Sequence, residues 1–132
     1  MSNGYYESAL LRLRRIATYL NFMYEAVLEE DSITPVQFEV MLYIDSSSPC
    51  SITEVADFMV VDKSTSSRLI KSIQEKGWVT IEDDREDRRR KKLNLTPQGK
   101  EIISKLHSNW VLVESDIRNK YDEAIEYLEE QL

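Results

Sequence analysis

A single cysteine, Cys50, and a single histidine, His107, are the only thiol and imidazole in this 132-residue chain. One cysteine cannot close an intramolecular disulfide, which agrees with a reducing compartment. Cys50 has no histidine near it and only Ser51 as a polar neighbour, so nucleophilic and redox-sensing readings stand far behind a structural one. His107 falls on the polar side of a predicted helix and is expected at the surface or in packing, not in acid-base work. CxxC, HExxH and glycine-rich phosphate loops are absent, so no catalytic residue, metal ligand or cofactor is expected. No run approaches the roughly eighteen apolar residues of a membrane span. Met1-Ser2-Asn3-Gly4 also lacks the basic and apolar regions of a secretory signal. The expected setting is the cytoplasm, without a membrane partner.

What is present is an uneven charge. With 42% apolar and 31% charged residues the chain suits one domain with a modest core. Its net charge of −7 opposes nucleic-acid binding only until it is apportioned. Asp62 to Lys92 holds ten cations and seven acids, whereas the remainder holds seven cations and seventeen acids. An acidic body with one basic edge repels DNA except at a single surface, which predicts oriented binding with weak non-specific affinity.

Within that basic edge, Asp62 is a good N-cap and Gly77 after Lys76 supplies a left-handed stop, so one helix fits between them. Ser66, Leu69, Ile70 and Ile73 share its apolar side, while Ser64, Ser67, Arg68 and Lys71 fall on the other, with Thr65 in the first turn. Consecutive hydroxyl residues are poor helix formers, but their short side chains let a helix approach phosphates and base edges. Arg68 can fork onto a guanine edge, and Lys71 suits a phosphate. Taken alone, the helix fits a solvated surface equally well.

Beyond it, Val79 and Ile81 alternate with polar residues, as do Leu93 and Leu95, so two short strands flank a charged tip. From Arg85 to Lys92 six cations face two acids. A tip that basic usually meets an anion, and such a wing can set an arginine into a narrow minor groove. Solubility or edge protection is the plainer use of the same arginines.

Tyr5 to Leu28 predicts a first long helix with an unusually regular apolar stripe, Tyr6, Leu10, Leu13, Ala17, Leu20, Tyr24 and Val27, widened by Ala9, Ile16 and Met23. A stripe that long calls for a partner helix from the C-terminal region or from another subunit. Thr34-Pro35-Val36-Gln37 and Ser51-Ile52-Thr53-Glu54 are two capping boxes, each opening a short helix, with Ser46 to Pro49 as the loop between. A turn at Val60-Val61 then leads to Asp62, which makes a helix-turn-helix. Thr96-Pro97 starts the last helical region, where Gly99 is tolerated and a helical apolar spacing runs to Leu132. Two helices or one kinked helix are expected, with the boundary near Ser115 to Tyr121.

The chain resembles the MarR (multiple antibiotic resistance regulator) winged-helix transcription factors over nearly its whole length. The resemblance is carried by Asp62-Lys63-Ser64-Thr65 with Arg68, by Glu75-Lys76-Gly77-Trp78-Val79, and by the wing Asp84-Arg85-Glu86-Asp87-Arg88-Arg89 running into Leu95-Thr96-Pro97-Gln98-Gly99. It implies a mainly α fold with a small β-hairpin wing. Residues 34–96 would form the winged helix-turn-helix, and residues 5–28 and 97–132 the helical dimerisation part. It further implies a homodimeric repressor reading a near-palindromic site in double-stranded DNA. Ser64, Thr65, Ser67, Arg68 and Lys71 would lie in the major groove, and Arg88, Arg89 and Arg90 on the DNA-binding wing. Arg89 would enter the minor groove and Asp87 would brace the wing through a salt bridge. Arg85 stands where many members have proline. A small-molecule effector in a crevice is also implied, its identity not given by any residue here, and the Tyr and Trp residues that could line such a crevice are more simply core. The alternative is a winged-helix module that uses its basic wing on an acidic protein, with no role on DNA.

Overall fold

The computed structural model describes residues 8–132; of these, the side chain of Glu29 is left undescribed. The expected helix start at Tyr5 and the stripe residue Tyr6 lie outside the described residues. The elements run α1 (Ala9–Leu28), a 3-10 turn (Glu29–Asp31), α2 (Pro35–Ser47), β1 (Cys50–Ser51), α3 (Ile52–Met59), α4 (Lys63–Glu75), β2 (Val79–Asp83), β3 (Lys91–Leu95) and α5 (Pro97–Glu129). The fold is mostly helical with a small antiparallel sheet, as expected. The described residues divide into two compact units, residues 33–106 and residues 8–32 with 107–132.

The unit of residues 33–106 closes around its own core. At the head of α2 the Thr34 hydroxyl accepts from the Gln37 amide and the Gln37 side chain accepts from the Thr34 amide, both at 3.1 Å, so the capping box is complete. Phe38, Val40, Met41 and Ile44 then turn inward and are fully buried with Val55 of α3, Ile70 and Ile73 of α4 and Leu93 of β3. Each such side chain removed from water stabilises the fold by about 1.5–3 kcal/mol before chain entropy is set against it. Ser66, placed by periodicity on the apolar side of α4, is fully buried and donates its hydroxyl to the Ile52 carbonyl at 2.9 Å. That bond fastens α4 to the start of α3.

The hairpin pairs Val79 with Leu95, Ile81 with Leu93 and Asp83 with Lys91. A third strand was not expected. Cys50 and Ser51 pair with Leu93 and Lys92, giving the order β1-β3-β2. Two residues are too few to show alternation, and Ser51 was already accounted for as a helix cap.

Gly77 has φ +82, and its amide donates to the Gln74 carbonyl at 2.9 Å, so α4 stops as its sequence predicts. Thr96 follows the sheet. Its amide donates to the Trp78 carbonyl at 3.1 Å, its hydroxyl donates to the Gly77 carbonyl at 2.6 Å, and the same oxygen accepts the Gly99 amide at 3.0 Å. Gly99 is therefore required and not merely tolerated, because a Cβ there would collide with the Trp78 carbonyl oxygen.

In the other unit, Ser8 caps α1 by accepting the Leu11 amide at 3.1 Å. Tyr24 packs on Trp110 with ring centroids 4.3 Å apart and donates to Glu114 at 2.7 Å. Of the two helices or one kinked helix expected, the structure has one continuous helix, Pro97–Glu129. The pairs Arg118–Glu114 (2.9 Å) and Lys120–Asp116 (3.3 Å), each one helical turn apart, span that stretch, and no glycine or proline interrupts it. Among the described residues, no helix is long and apolar enough to cross a membrane.

Candidate nucleic-acid interface

The candidate interface residues lie on α4 and on the hairpin tip, both in the unit of residues 33–106. The turn that sets α4 against α3 is made by Val60, which has φ 56 and ψ 48 and donates its amide to the Ala56 and Asp57 carbonyls. A β-branched residue in the left-handed region costs roughly 1–2 kcal/mol, and no glycine or asparagine marks the position in sequence. Val60 is 71% exposed, so side-chain burial does little to offset that cost.

On α4, Ser64, Arg68 and Lys71 are exposed, and Thr65 and Ser67 are half-buried. Asp62 occupies the N-cap position but makes no side-chain cap bond. Its carboxylate instead accepts the Thr65 hydroxyl, whose oxygen accepts Arg68 Nη2 at 3.2 Å. The Thr65 hydroxyl, with a smaller contribution from the Arg68 charge, holds the Asp62 carboxyl below its ordinary range. Arg68 is thus oriented from within its own helix, and the Thr65 hydroxyl proton is already engaged.

The tip is held by its own aspartates. Asp84 Oδ1 accepts the Glu86 amide at 2.9 Å, and Asp87 Oδ1 accepts the Arg89 amide at 3.0 Å and Arg89 Nε at 3.4 Å. The Arg89 side chain is still 93% exposed. Arg85 and Arg88 are exposed as well. Across the stem Lys91 pairs with Asp83, and this bond, helped by the Arg88 charge, holds the Asp83 carboxyl below its ordinary range. Arg90 leaves the tip cluster, donating from Nη2 to Glu54 Oε1 of α3 at 2.7 Å. Sequence reasoning did not reach Glu54, which sits 36 residues away and reads there as half of a capping box.

Candidates for other chemistry find little support. Burial, and secondarily Glu54, pushes the Cys50 thiol up to about 11, which leaves little thiolate near neutral pH. His107 is exposed and both tryptophans are buried. No group of acids, cysteine and histidine among the described residues could hold a metal ion.

The MarR family model matches residues 31–90, which include α2, α3, α4, β2 and the tip of the wing. Residues 31–90 are thus similar to the MarR family, and the fold they belong to is a winged helix. An uncharacterized HTH-type transcriptional regulator of Staphylococcus aureus is 31% identical over 78 residues, 59% of this chain and 53% of the relative. The chain thus spans about half the length of that curated relative. A mutant MarR of E. coli solved in complex with operator DNA matches with a TM-score of 0.83 at 22% identity, covering 98% of each chain. The S. aureus MepR–DNA complex matches with a TM-score of 0.79 at 20% identity, over 95% of this chain and 93% of that one. At such identities these two MarR-type structures establish the likeness of fold.

Proposed function

We propose that the protein is a sequence-specific DNA-binding transcriptional regulator, a cytoplasmic repressor that works as a homodimer on a near-palindromic site. The observation that carries this reading is the pairing, within one compact unit, of a hydroxyl- and cation-bearing reading helix with an arginine-tipped wing. Solved winged-helix relatives in complex with DNA support it. Ser64, Thr65, Ser67, Arg68 and Lys71 meet the major groove, and Arg88 and Arg89 meet the minor groove with Asp87 shaping the turn beneath them. The exposed apolar residues of α1 and of the C-terminal half of α5 support the dimer. A two-fold axis then spaces the reading helices about one DNA turn, ~34 Å, apart.

The test is selection of bound duplex fragments by the purified protein at two salt concentrations. Recovery of an inverted repeat with half-sites one turn apart is the expected result. On that duplex Arg68→Ala should relax base preference, whereas Lys71→Ala should weaken all sequences alike and flatten the salt slope by about one. Recovery at low salt only, without a shared sequence, would defeat the reading.

A further inference from the structure

Glu54 is a helix-capping residue that does not cap. It stands three residues after Ser51, and the Ser51 hydroxyl accepts the Glu54 amide at 3.1 Å, which is half of a capping box. The other half would be the Glu54 carboxylate on the Ser51 amide. That carboxylate lies on Arg90 instead, at 2.7 Å.

The position of this contact gives it weight. Backbone pairing holds the wing only to Ser51–Lys92 on one side and Asp83–Lys91 on the other. Beyond those pairs the tip is tied to itself, through Asp84 to Glu86, Asp87 to Arg89, and the Asp84 amide to the Arg90 carbonyl at 3.2 Å. Among the described residues, Arg90–Glu54 is the one side-chain bond that joins residues 84–90 to the helices. Glu54 belongs to α3, and α3 is fastened to α4 by the Ser66 hydroxyl on the Ile52 carbonyl. A continuous route therefore runs from the wing through Arg90, Glu54 and the first turn of α3 to Ser66 in the reading helix.

We propose that Glu54 is a positioning residue which, through Arg90, sets the angle of the wing against α4. Arg90, grouped by sequence with the DNA-binding cations, is in this assignment an anchor of the wing. The inference rests on the DNA-binding reading for its consequence, but not for its geometry. If Arg90 were a phosphate contact, its loss would lower the salt slope by about one. As an anchor its loss leaves the slope unchanged and removes the discrimination that the wing supplies. Glu54 makes the contrast sharper. An acid beside a DNA surface repels phosphate, so simple electrostatics has Glu54→Gln binding every duplex more tightly. Anchoring has it binding the selected duplex more weakly, by roughly two- to fivefold, the scale of a half-exposed ion pair.

The experiment uses the full chain. Backbone 15N relaxation of residues 85–89 is compared in the free protein for wild type, Glu54→Gln, Arg90→Gln and the exchanged pair Glu54→Arg with Arg90→Glu. Duplex affinity is then measured on the selected site and on the same site with the base pairs beneath the wing exchanged, A·T for G·C and the reverse. The expected result is a more mobile tip in each single variant, with order returned by the exchange. Affinity falls on the selected duplex only, at unchanged salt slope, and recovers with the exchange. Unchanged tip relaxation in both single variants overturns the proposal, as does tighter binding of Glu54→Gln to all duplexes. A wild-type protein that binds no duplex would instead overturn the regulator reading, and the relaxation comparison would then decide the anchor.

Discussion

The unit of residues 33–106 and the unit that joins α1 to residues 107–132 treat apolar side chains in opposite ways. In the first, eight large side chains from four elements are sealed from water, and its exposed apolar residues are mainly Phe58, Val60 and Val61 around the α3–α4 turn. In the second, Leu28, Trp110 and Ile117 are buried, while Leu10, Ile16, Tyr19, Phe22, Leu112 and Tyr127 are exposed along its two helices. The winged unit completes its own core. The helical unit leaves apolar surface of the kind that marks an interface, so its stability should depend on protein concentration in a way that the winged unit's does not.

Truncation inside the sealed core is the strongest way to test the contrast. Phe38→Ala should lower the unfolding free energy by about 3–5 kcal/mol in denaturant titrations. The loss should be the same at high and low protein concentration; a concentration-dependent loss would mean that the winged unit is not self-sufficient. The matching change in the helical unit is Ile16→Asp. It should barely disturb the helix content seen by circular dichroism, yet weaken self-association at least tenfold in sedimentation equilibrium, roughly the 1.4 kcal/mol that one lost apolar contact supplies. Self-association that survives unchanged would remove this face from the interface.

Smaller effects separate the two glycines of the winged unit. Gly99→Ala should cost about 1–3 kcal/mol, because its Cβ meets the Trp78 backbone. Gly77→Ala has open space around it and only a positive φ to resist, so about 1 kcal/mol is expected. A reversed order in thermal melts would show that the junction at Trp78 is looser than its geometry. The smallest effect lies at the head of α4. The folded Asp62 carboxyl is depressed below its ordinary 3.8. Its bond to Thr65 therefore stabilises the fold above that value and is lost as pH falls through the folded one. Thr65→Val should return Asp62 toward 3.8 in a carboxyl 13C titration, with a small drop in melting temperature at neutral pH that disappears in acid.

The same contrast explains what could be read without a structure. Local rules carried far: the capping box at Thr34 and Gln37, the left-handed stop at Gly77, and the periodicity that sent Ser66 inward while keeping Arg68 and Lys71 outside all act within a few residues. The failures share a cause in distance or brevity. The pairing of Arg90 with Glu54 joins residues far apart in the chain, β1 is too short for any period, and the need for a glycine at 99 comes from the backbone of Trp78. Val60 is a different case. Its left-handed turn is imposed by the packing of α3 and α4 against the propensity of valine, so no local signal could announce it. The continuity of α5 was half legible: one helix was among the expectations, and the pairs at 114–118 and 116–120 are visible in the spacing of their charges.

Thr96 has a consequence for how the winged unit comes apart. One residue bonds to the end of α4 at Gly77, to the strand entry at Trp78 and to the first turn of α5 at Gly99. The hairpin therefore cannot open at its base without releasing the head of α5, and neither can fray alone. Amide exchange at Trp78, Thr96 and Gly99 should accordingly report a single shared opening event, making the stem of the wing one of the slowest-exchanging parts of the molecule.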